Sequence, residues 1–476
     1  MAQIAGVSSP PKTILVTRLD GLGDTVLTTP LLEGLHRQWP KANIKLLVRP
    51  QMISVREILP EWVEVIPLGF DLYQPTLGME EKVAEQIRLA CERVRSDLVI
   101  LGEYNRVWVS EVLAAMIAPP RVVAFDSLSG LSVMNRKVRD LLNLPPVQKD
   151  WQLVQAAYEW REPKKYQAML ASLGIATALE GPTIRIRDQD RNAARALWNE
   201  WNLPTGQTVV LFPGSGQGLK RSLPATAWAR WAEHLNARHT VALLGSSADS
   251  ATFSAIEAAG LPAQIKRLSL PPDRAGLLAA VLELAGAYIG ADTGPMHISA
   301  ALNRPTLGIF GGGTLGRYDS GREPERFLPV GIRAAAVRMP LGCYGCGWYC
   351  AFDERFCLTR MPVDGLLRVG DEFLEEYCGS HTNPDPFSIR VFDLKPPPEL
   401  PALLLGPIMR QHQTFLRLNH EIIEHHDYLA RVLSDMTKQN HARDHAIATI
   451  NNVLSEMTKQ NQARDQAISH LSKHKW

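Results

Sequence analysis

The first segment whose residues could perform chemistry is RLDGLGDTVLTTP, which places an aspartate at the end of a glycine turn. Gly21 and Gly23 permit a tight turn between a strand and a helix, and the amides at that helix start can face an anion. Asp24 lies where its carboxylate can project into a cleft and accept a proton. The alternative is a structural Asp24 that only caps the helix. Because the turn is not a complete G-x-G-x-x-G, it is weak evidence for a dinucleotide site.

A second candidate segment, FPGSGQGLKRSLP, follows an apolar run and combines a glycine-rich turn with positive charge. Its candidate ligand contacts are Gly214, Ser215, Gly216 and Lys220. Backbone amides of such a turn can surround diphosphate oxygens, and a lysine supplies a point charge. The segment lacks the G-K-[ST] ending of a P-loop, which argues against an ATPase. A structural glycine loop beside a solvated lysine is the alternative.

The third candidate segment is GADTGPMHISAALNRPTLGIFG, in which a strand ends at a polar turn and a helix follows. Its candidate ligand contacts are Asp292, Thr293, Gly294 and His297. Pro295 falls at the first helical position, where proline is favoured, so the helix start points at whatever lies above the strand ends. The alternative is a capped helix with a core histidine. The D-T-G triplet of aspartic proteases lies in β-structure, and the proline-started helix argues against that class.

Four of the six cysteines crowd into a short segment and could bind a metal ion; they are Cys343, Cys346, Cys350 and Cys357. Four thiolates with the spacing C-x2-C-x3-C-x6-C can hold a tetrahedral zinc or iron ion. In a reducing compartment such a cluster is more often a metal site than a set of disulfides. The site would be structural, because four protein ligands leave no open position. Buried or oxidised cysteines are the alternative.

Alternating strands and helices must position these segments. Apolar, β-branched runs typical of buried strands occur at Lys12–Thr17, Ile44–Val48, Asp97–Gly102 and Arg121–Phe125. The alternation restarts at Thr208, after a connecting helix. The sequence therefore predicts an α/β protein with two Rossmann-like, doubly wound parallel sheets, in domains at residues 12–180 and 206–340.

The remaining chain reads as three appended segments. Residues 341–380 hold the cysteines and a closing helix, and residues 381–411 are proline-rich, which predicts an extended linker. In residues 412–474, VLSDMTKQNHARDHAI recurs as VLSEMTKQNQARDQAI after 21 residues, or three heptads. With Leu433 at heptad position a, Asn440 and Asn461 also fall at position a. The heptad pattern predicts an oligomeric coiled coil. A lone charged helix, or a helix docked on another protein, is the alternative.

Length and charge restrict the function classes. The 476 residues suit two α/β domains plus an appendage, and the formal net charge of +2 argues against bulk electrostatic binding to nucleic acid or anionic lipid. The sequence has no signal-peptide core and no run of about 18 apolar residues. We therefore expect a soluble, cytoplasmic protein whose contact with the inner membrane is at most peripheral.

Taken together, the three segments resemble glycosyltransferase family 9, the heptosyltransferases of lipopolysaccharide synthesis. The resemblance rests on RLDGLGDTVLTTPLLEGLHRQWP, VVLFPGSGQGLKRSLP and YIGADTGPMHISAALNRPTLGIFG, and it covers roughly residues 12 to 375 but not the tail. It implies a GT-B fold with two Rossmann-like domains facing a cleft: an acceptor domain first, then a nucleotide-sugar domain. It also implies an inverting reaction with no cofactor for catalysis.

The resemblance also assigns roles to individual residues. Asp24 matches the family's catalytic base, and Lys220 matches the lysine that contacts the donor diphosphate. Asp292, Thr293, Gly294 and His297 match the donor-binding D-T-G-x-x-H. Asp249 matches, in a loose register, the acidic residue that contacts the donor ribose. The second segment departs from the family, because K-R-S-L-P has one extra residue and lacks the usual tryptophan.

We accordingly expect an enzyme that moves a sugar, most simply heptose, from an ADP-heptose-like donor to a glycan or lipid-linked acceptor. Another sugar or a protein acceptor is an alternative within the same fold. A nicotinamide dehydrogenase would need the full glycine fingerprint, which is missing. A non-catalytic assembly scaffold that works through the coiled coil is the third alternative, and intact Asp24 and D-T-G-x-x-H residues argue against it.

The cysteine cluster yields a first prediction. Elemental analysis of the chain purified without added metal should find close to one zinc or iron ion per chain, because four thiolates complete a tetrahedral shell. Four free thiols by titration, with no bound metal, would contradict the site.

The tail yields a second prediction. Light scattering should give the full chain an oligomeric mass and a chain truncated at Pro398 a lower one, since a helix of about 90 Å at 1.5 Å per residue needs partners to cover its apolar seam. Equal, monomeric masses for both proteins would refute the assembly role.

Overall fold

The computed structural model describes residues 10–72, 79–127, 133–144, 151–157, 160–214, 222–311, 325–341 and 354–398, together with Leu400. These residues belong to one compact unit of the chain. The predicted coiled coil at 412–474 lies outside them, as do Ser215, Gly216, Lys220, Cys343, Cys346 and Cys350. No helix within the described ranges is both long and apolar enough to cross a membrane.

The first domain is built on six parallel strands. They are Thr13–Arg18 (β1), Asn43–Val48 (β2), Val63–Pro67 (β3), Leu98–Leu101 (β4), Arg121–Phe125 (β5) and Gln152–Val154 (β6). Their order in the sheet is β3-β2-β1-β4-β5-β6, the doubly wound order of a Rossmann domain. The central strands are apolar on both faces because helices cover both sides: Ile14, Leu15 and Val16 are all fully buried.

Six helices cover this sheet. They are Leu22–Leu27 (α1), Thr29–Gln38 (α2), Glu80–Arg93 (α3), Trp108–Ile117 (α4), Val133–Leu141 (α5) and Glu162–Ser172 (α6). Helix α2 begins at Thr29-Pro30, where proline suits the first turn, and it buries Leu31 and Leu35 at helical spacing. It packs on α6. This packing brings the start of α6 close to the end of β1.

The second domain contains seven parallel strands. They are Thr208–Phe212 (β7), Thr240–Ser246 (β8), Lys266–Leu270 (β9), Ala287–Ala291 (β10), Thr306–Phe310 (β11), Ala334–Arg338 (β12) and Arg390–Asp393 (β13), in the order β13-β12-β11-β10-β7-β8-β9. The helices are Asp188–Glu200 (α7), Ala225–Asn236 (α8), Ser250–Ala258 (α9), Ala275–Leu284 (α10), Gly294–Ala301 (α11), Phe356–Thr359 (α12) and Val363–Tyr377 (α13). The two predicted parallel α/β domains are therefore confirmed.

One segment differs from the sequence expectation. Residues 381–411 read as an extended linker, yet Arg390–Asp393 form β13 and pair in parallel with β12. Phe392 is buried in the domain core, whereas its neighbours in the strand are more exposed. A single buried residue in a four-residue strand gives too little alternation to outweigh the surrounding prolines.

The strand order determines where a ligand can bind. In the first sheet the strand order reverses between β1 and β4, and in the second it reverses between β7 and β10. Helices leave opposite faces of the sheet at such a switch point, so a crevice opens at the carboxyl ends of the two strands. All three candidate segments begin at these strand ends, those of β1, β7 and β10.

Candidate active site

Asp24 lies in the first turn of α1, directly after β1. Its Oδ2 accepts a hydrogen bond from the Gly21 amide at 3.0 Å, and its Oδ1 accepts one from Arg18 Nη2 at 3.0 Å. About a quarter of the side chain (24%) is exposed. The N-cap residue of α1 is Gly21 and not Asp24, which is the third residue of the helix and accepts from the N-cap amide. These contacts leave lone pairs on the carboxylate available to a further hydroxyl group.

Arg18, the last residue of β1, is fully buried and organises the turn around it. Its Nη1 donates to the Gly102 carbonyl at 2.7 Å and lies 3.5 Å from Asp20 Oδ2. Its Nη2 lies 3.0 Å from Asp24 and 3.3 Å from Glu162 Oε2. One buried guanidinium thus joins three carboxylates, an arrangement that its planar fork of donors permits and a lysine could not reproduce.

Glu162, the first residue of α6, is a completely buried carboxylate at the centre of these charges. Its Oε1 accepts from Arg326 Nε at 2.6 Å and from Lys165 Nζ at 3.0 Å. Burial by itself would raise the pKa of Glu162, but Arg326, Lys165 and Arg18 hold this pKa well below its usual range. Glu162 is therefore a permanent negative charge that those cations neutralise.

Two neighbouring groups titrate in an unusual range. Burial lowers the pKa of Lys165 to about 7, although Glu162 opposes the shift, and its ammonium lies 4.1 Å from the centre of the Tyr104 ring. Burial raises the pKa of Asp20 to about 7, with Arg18 opposing and the negative charges of Asp24 and Glu103 adding to the rise. The site thus holds a second carboxyl group beside Asp24.

Sequence reasoning assigned no role to Arg18, Asp20, Glu162, Lys165 or Arg326. Glu162, Lys165 and Tyr166 follow the i, i+3, i+4 spacing that places them on one helix face. This spacing is the one sequence feature that could have indicated a shared role for the three residues. It does not indicate burial, because a charged helix face is usually exposed to solvent. Only the packing of α6 shows that this face is buried.

The starts of α1 and α11 meet across the domain boundary. A Cβ atom on Gly23 would lie 2.6 Å from His297 Cδ2, and one on Gly294 would lie 2.8 Å from Leu22 Cβ. Neither Gly21 nor Gly23 has a positive φ. The sequence assigned these glycines to a tight turn, but the structure gives Gly23 another reason: it lets two helix starts approach closely.

His297 lies at this contact, and its ring is nearly inaccessible to solvent. Burial lowers its pKa to about 4, with Arg161 adding to the decrease and Asp24 opposing it, so the ring is neutral at neutral pH. Its Nδ1 is buried and has no hydrogen-bond partner among the described residues. The structure therefore brings His297 beside the Asp24 turn, and its role as a donor contact stays a prediction.

The remaining predicted donor residues follow β7, β8 and β10. Asp249 Oδ2 accepts from the amide and the hydroxyl of Ser246, both at 2.9 Å, and its Oδ1 would lie 2.3 Å from a Cβ on Gly214. Asp249 therefore lies against the start of the glycine-rich segment. Ser215, Gly216 and Lys220 lie outside the described residues, so their contacts stay predictions.

The D-T-G turn links β10 to α11. The Asp292 amide donates to the Ile309 carbonyl at 3.2 Å, and Thr293 is the extended N-cap residue of α11. Pro295 is the second residue of the helix, one position later than predicted. The start of α11 therefore faces the crevice at the switch point of the second sheet.

The predicted metal site is described only in part. Cys357 is buried at the start of α12 and contributes to the core of the second domain. The other three cysteines lie outside the described residues, and the described part of the chain holds no cluster of three or more metal-ligating side chains. Metal binding stays a prediction.

Residues 92–346 match the sequence profile of glycosyltransferase family 9 (heptosyltransferase). The chain belongs to this family. It is a glycosyltransferase enzyme, as the family resemblance of its three segments predicted. The match includes the second and third segments but begins after Asp24.

Named relatives agree with the assignment. The chain is 23% identical over 336 residues to lipopolysaccharide heptosyltransferase 2 of Salmonella typhimurium, covering 69% of this chain and 88% of the relative. It is 20% identical over 291 residues to lipopolysaccharide heptosyltransferase 3 of Escherichia coli, covering 61% and 80%. The structure of the E. coli ADP-heptose heptosyltransferase II is similar in fold, with a TM-score of 0.52, 18% identity and coverage of 76% and 98%.

The close approach of α1 and α11 in this glycosyltransferase yields a third prediction. Gly23→Ala should lower the free energy of unfolding by about 1–3 kcal/mol, because the new methyl group meets a buried ring that cannot move freely. Urea unfolding measures this change. Gly181→Ala is the matched control, since its Cβ would meet nothing nearer than Val330 Cγ1 at 3.6 Å. Equal stability of the two variants would show that the helix starts do not pack as described.

Proposed function

We propose that this enzyme transfers a heptose from an ADP-heptose-like donor to a lipopolysaccharide-type acceptor, with Asp24 as the general base. The observation that carries the proposal is the Asp24 carboxylate, which Arg18 and Gly21 hold in place while part of it stays exposed beside the start of α11. The names of the relatives support heptose and lipopolysaccharide, because both curated relatives are lipopolysaccharide heptosyltransferases.

In the proposed reaction the acceptor hydroxyl binds against the first domain, near the carboxyl ends of β1 and β4. Asp24 takes the hydroxyl proton as the acceptor oxygen forms a bond to the anomeric carbon. The bond from that carbon to the nucleoside diphosphate breaks on the opposite face, so the configuration inverts. General base catalysis of this kind contributes about 10²–10⁴-fold to a rate.

The leaving diphosphate would gain its stabilisation from the second domain. The amide-rich start of α11, at Thr293 and Gly294, faces the crevice and favours negative charge by roughly 0.3–2 kcal/mol. Gly214 lies at the neighbouring end of β7. Lys220 would add a positive charge, and Asp249 would contact the ribose. Preorganised donors act strongly in a cleft from which domain closure excludes water.

The proposal also includes where the enzyme acts in the cell and how its copies assemble. A lipid-linked acceptor would bring the enzyme to the cytoplasmic face of the inner membrane as a peripheral protein. The coiled-coil tail would join several copies there. These inferences rest on the acceptor class and on the heptad pattern.

The proposed base yields a fourth prediction. Asp24→Asn should lower the turnover number at least about a hundredfold, because the amide accepts no proton. Donor affinity should change little, since the donor is bound by the other domain. Transfer and nucleotide release from ADP-heptose, with a lipopolysaccharide core acceptor, give both quantities.

The control for this variant is Asp188→Asn, which changes an aspartate in the first turn of α7 whose side chain is 94% exposed. This variant should keep full activity. If Asp24→Asn also keeps full activity and loses only about 1 kcal/mol of stability, Asp24 is a helix cap and not the base.

A further inference from the structure

Arg326 comes from the second domain but places its charge inside the first. It lies in a short 3-10 turn at Glu325–Phe327, and its neighbour Leu328 is buried in the core of the second domain. Its guanidinium lies 5.2 Å from the centre of the Tyr104 ring and donates to Glu162 at 2.6 Å, both in the first domain. The side chain is 7% exposed. This ion pair therefore forms only where the two domains are docked.

Glu162 connects Arg326 to the proposed base. Arg18 Nη2 is shared between two carboxylates, at 3.0 Å from Asp24 Oδ1 and 3.3 Å from Glu162 Oε2. The two carboxylates therefore compete for one donor group. When Arg326 neutralises Glu162, Arg18 can stay on Asp24. When Arg326 withdraws, Glu162 is left short of a positive partner and draws Arg18 towards itself.

While Arg326 is in place, Lys165 is the weaker partner of Glu162 at neutral pH. Burial is the main reason that the pKa of Lys165 falls to about 7, and the charge of Arg326 lowers it further, so near that pH Lys165 carries only part of a charge. Arginine stays charged throughout. Arg326 is therefore the principal permanent partner of Glu162 other than the shared Arg18.

We propose that Arg326 is a positioning residue, which acts through Glu162 and Arg18 to hold Asp24 in its working orientation when the domains dock. The inference rests on the proposed function of Asp24. It makes base activity dependent on closure: with the domains apart, Glu162 draws Arg18 away from Asp24, and the base is poorly oriented. Nucleotide-sugar hydrolysis by an open, water-filled enzyme is thereby suppressed.

The kinetic test uses Arg326→Gln in the full chain with ADP-heptose. The turnover number should fall about tenfold or more, since small misplacements of a catalytic group are costly, while the KM for the donor should change less than about threefold. The acid limb of the turnover–pH profile should move to higher pH, because a positive charge that reaches the site from the second domain is lost.

Glu162→Gln reverses the sign of the charge change, so it should move the acid limb to lower pH. A general loss of structure would not shift the acid limb of the pH profile in opposite directions in Arg326→Gln and Glu162→Gln. Arg326→Lys, which keeps the charge, should recover most of the limb position but not the full turnover. If Arg326→Gln does not fold, the comparison uses Arg326→Lys, which should leave the limb nearly in place, and Glu162→Gln, which should still move it to lower pH.

The matched control is Arg274→Gln. Arg274 also reaches from the second domain to the first, with its Nε 3.4 Å from Glu57 Oε1, while its Nη2 donates to Asp190 at 2.7 Å. Among the described residues, Arg274 forms its ion pairs with Glu57 and Asp190 and not with the Asp24 turn. Arg274→Gln should therefore weaken domain docking and leave the acid limb in place.

Other titratable groups also lie close to Asp24. They are Arg18 on β1, Asp20 in the following turn, Tyr166 on α6 and His297 on α11. Burial raises the pKa of Asp20 to about 7, within the range of the profile. The shift caused by Arg326→Gln should therefore be measured again in an Asp20→Asn background, where it should persist.

Hydrogen exchange of the substrate-free enzyme gives a readout that does not depend on turnover. Arg326→Gln should speed exchange of the amides in α1, and Arg274→Gln should speed exchange mainly in α10, whose Gly276 amide donates to Glu57 at 2.9 Å. Unchanged exchange in α1 and an unmoved acid limb in Arg326→Gln would overturn the positioning role. An active Asp24→Asn enzyme would instead overturn the proposed function, so the two failures can be told apart.

Discussion

The arrangement of the site depends on one completely buried carboxylate, that of Glu162. A buried charge is tolerated only when it is paired and hydrogen-bonded, and this one draws its partners from β1, from α6 and from the second domain. Meeting that requirement fixes the side chain of Arg18, which in turn orients Asp24. Because the charge of Glu162 must be neutralised, the arrangement of side chains at the start of α1 depends on the docking of the second domain.

Close backbone approach is the second constraint. The two sheets present their switch-point crevices to each other, and α1 and α11 begin there. Gly23 and Gly294 lack the Cβ atoms that would separate these helix starts, and Val26 of α1 is buried among side chains of the second domain. Because a neutral His297 ring fills the contact, no unpaired charge is buried at this point.

The sequence predicted most of the central strands well and several of the outer strands poorly. Arg121–Phe125 has the bounds expected for it, because a buried parallel strand is a continuous apolar run. Gln152–Val154, Lys266–Leu270 and Ala334–Arg338 were not identified. The first is only three residues long, the second alternates polar residues at an exposed edge position, and the third consists mainly of alanine. Such segments become strands because a neighbouring strand offers hydrogen bonds.

The sequence by itself determined the two parallel α/β domains, the family, and the turns that carry Asp24 and Thr293, because these features depend on local patterns of glycine, proline and apolar residues. Only the tertiary structure decided which charges meet. Glu162 lies 144 residues from Arg18 and 164 from Arg326, and each reads alone as an ordinary surface charge. Their pairing arises from the packing of α6 and the docking of the second domain, which no local pattern encodes.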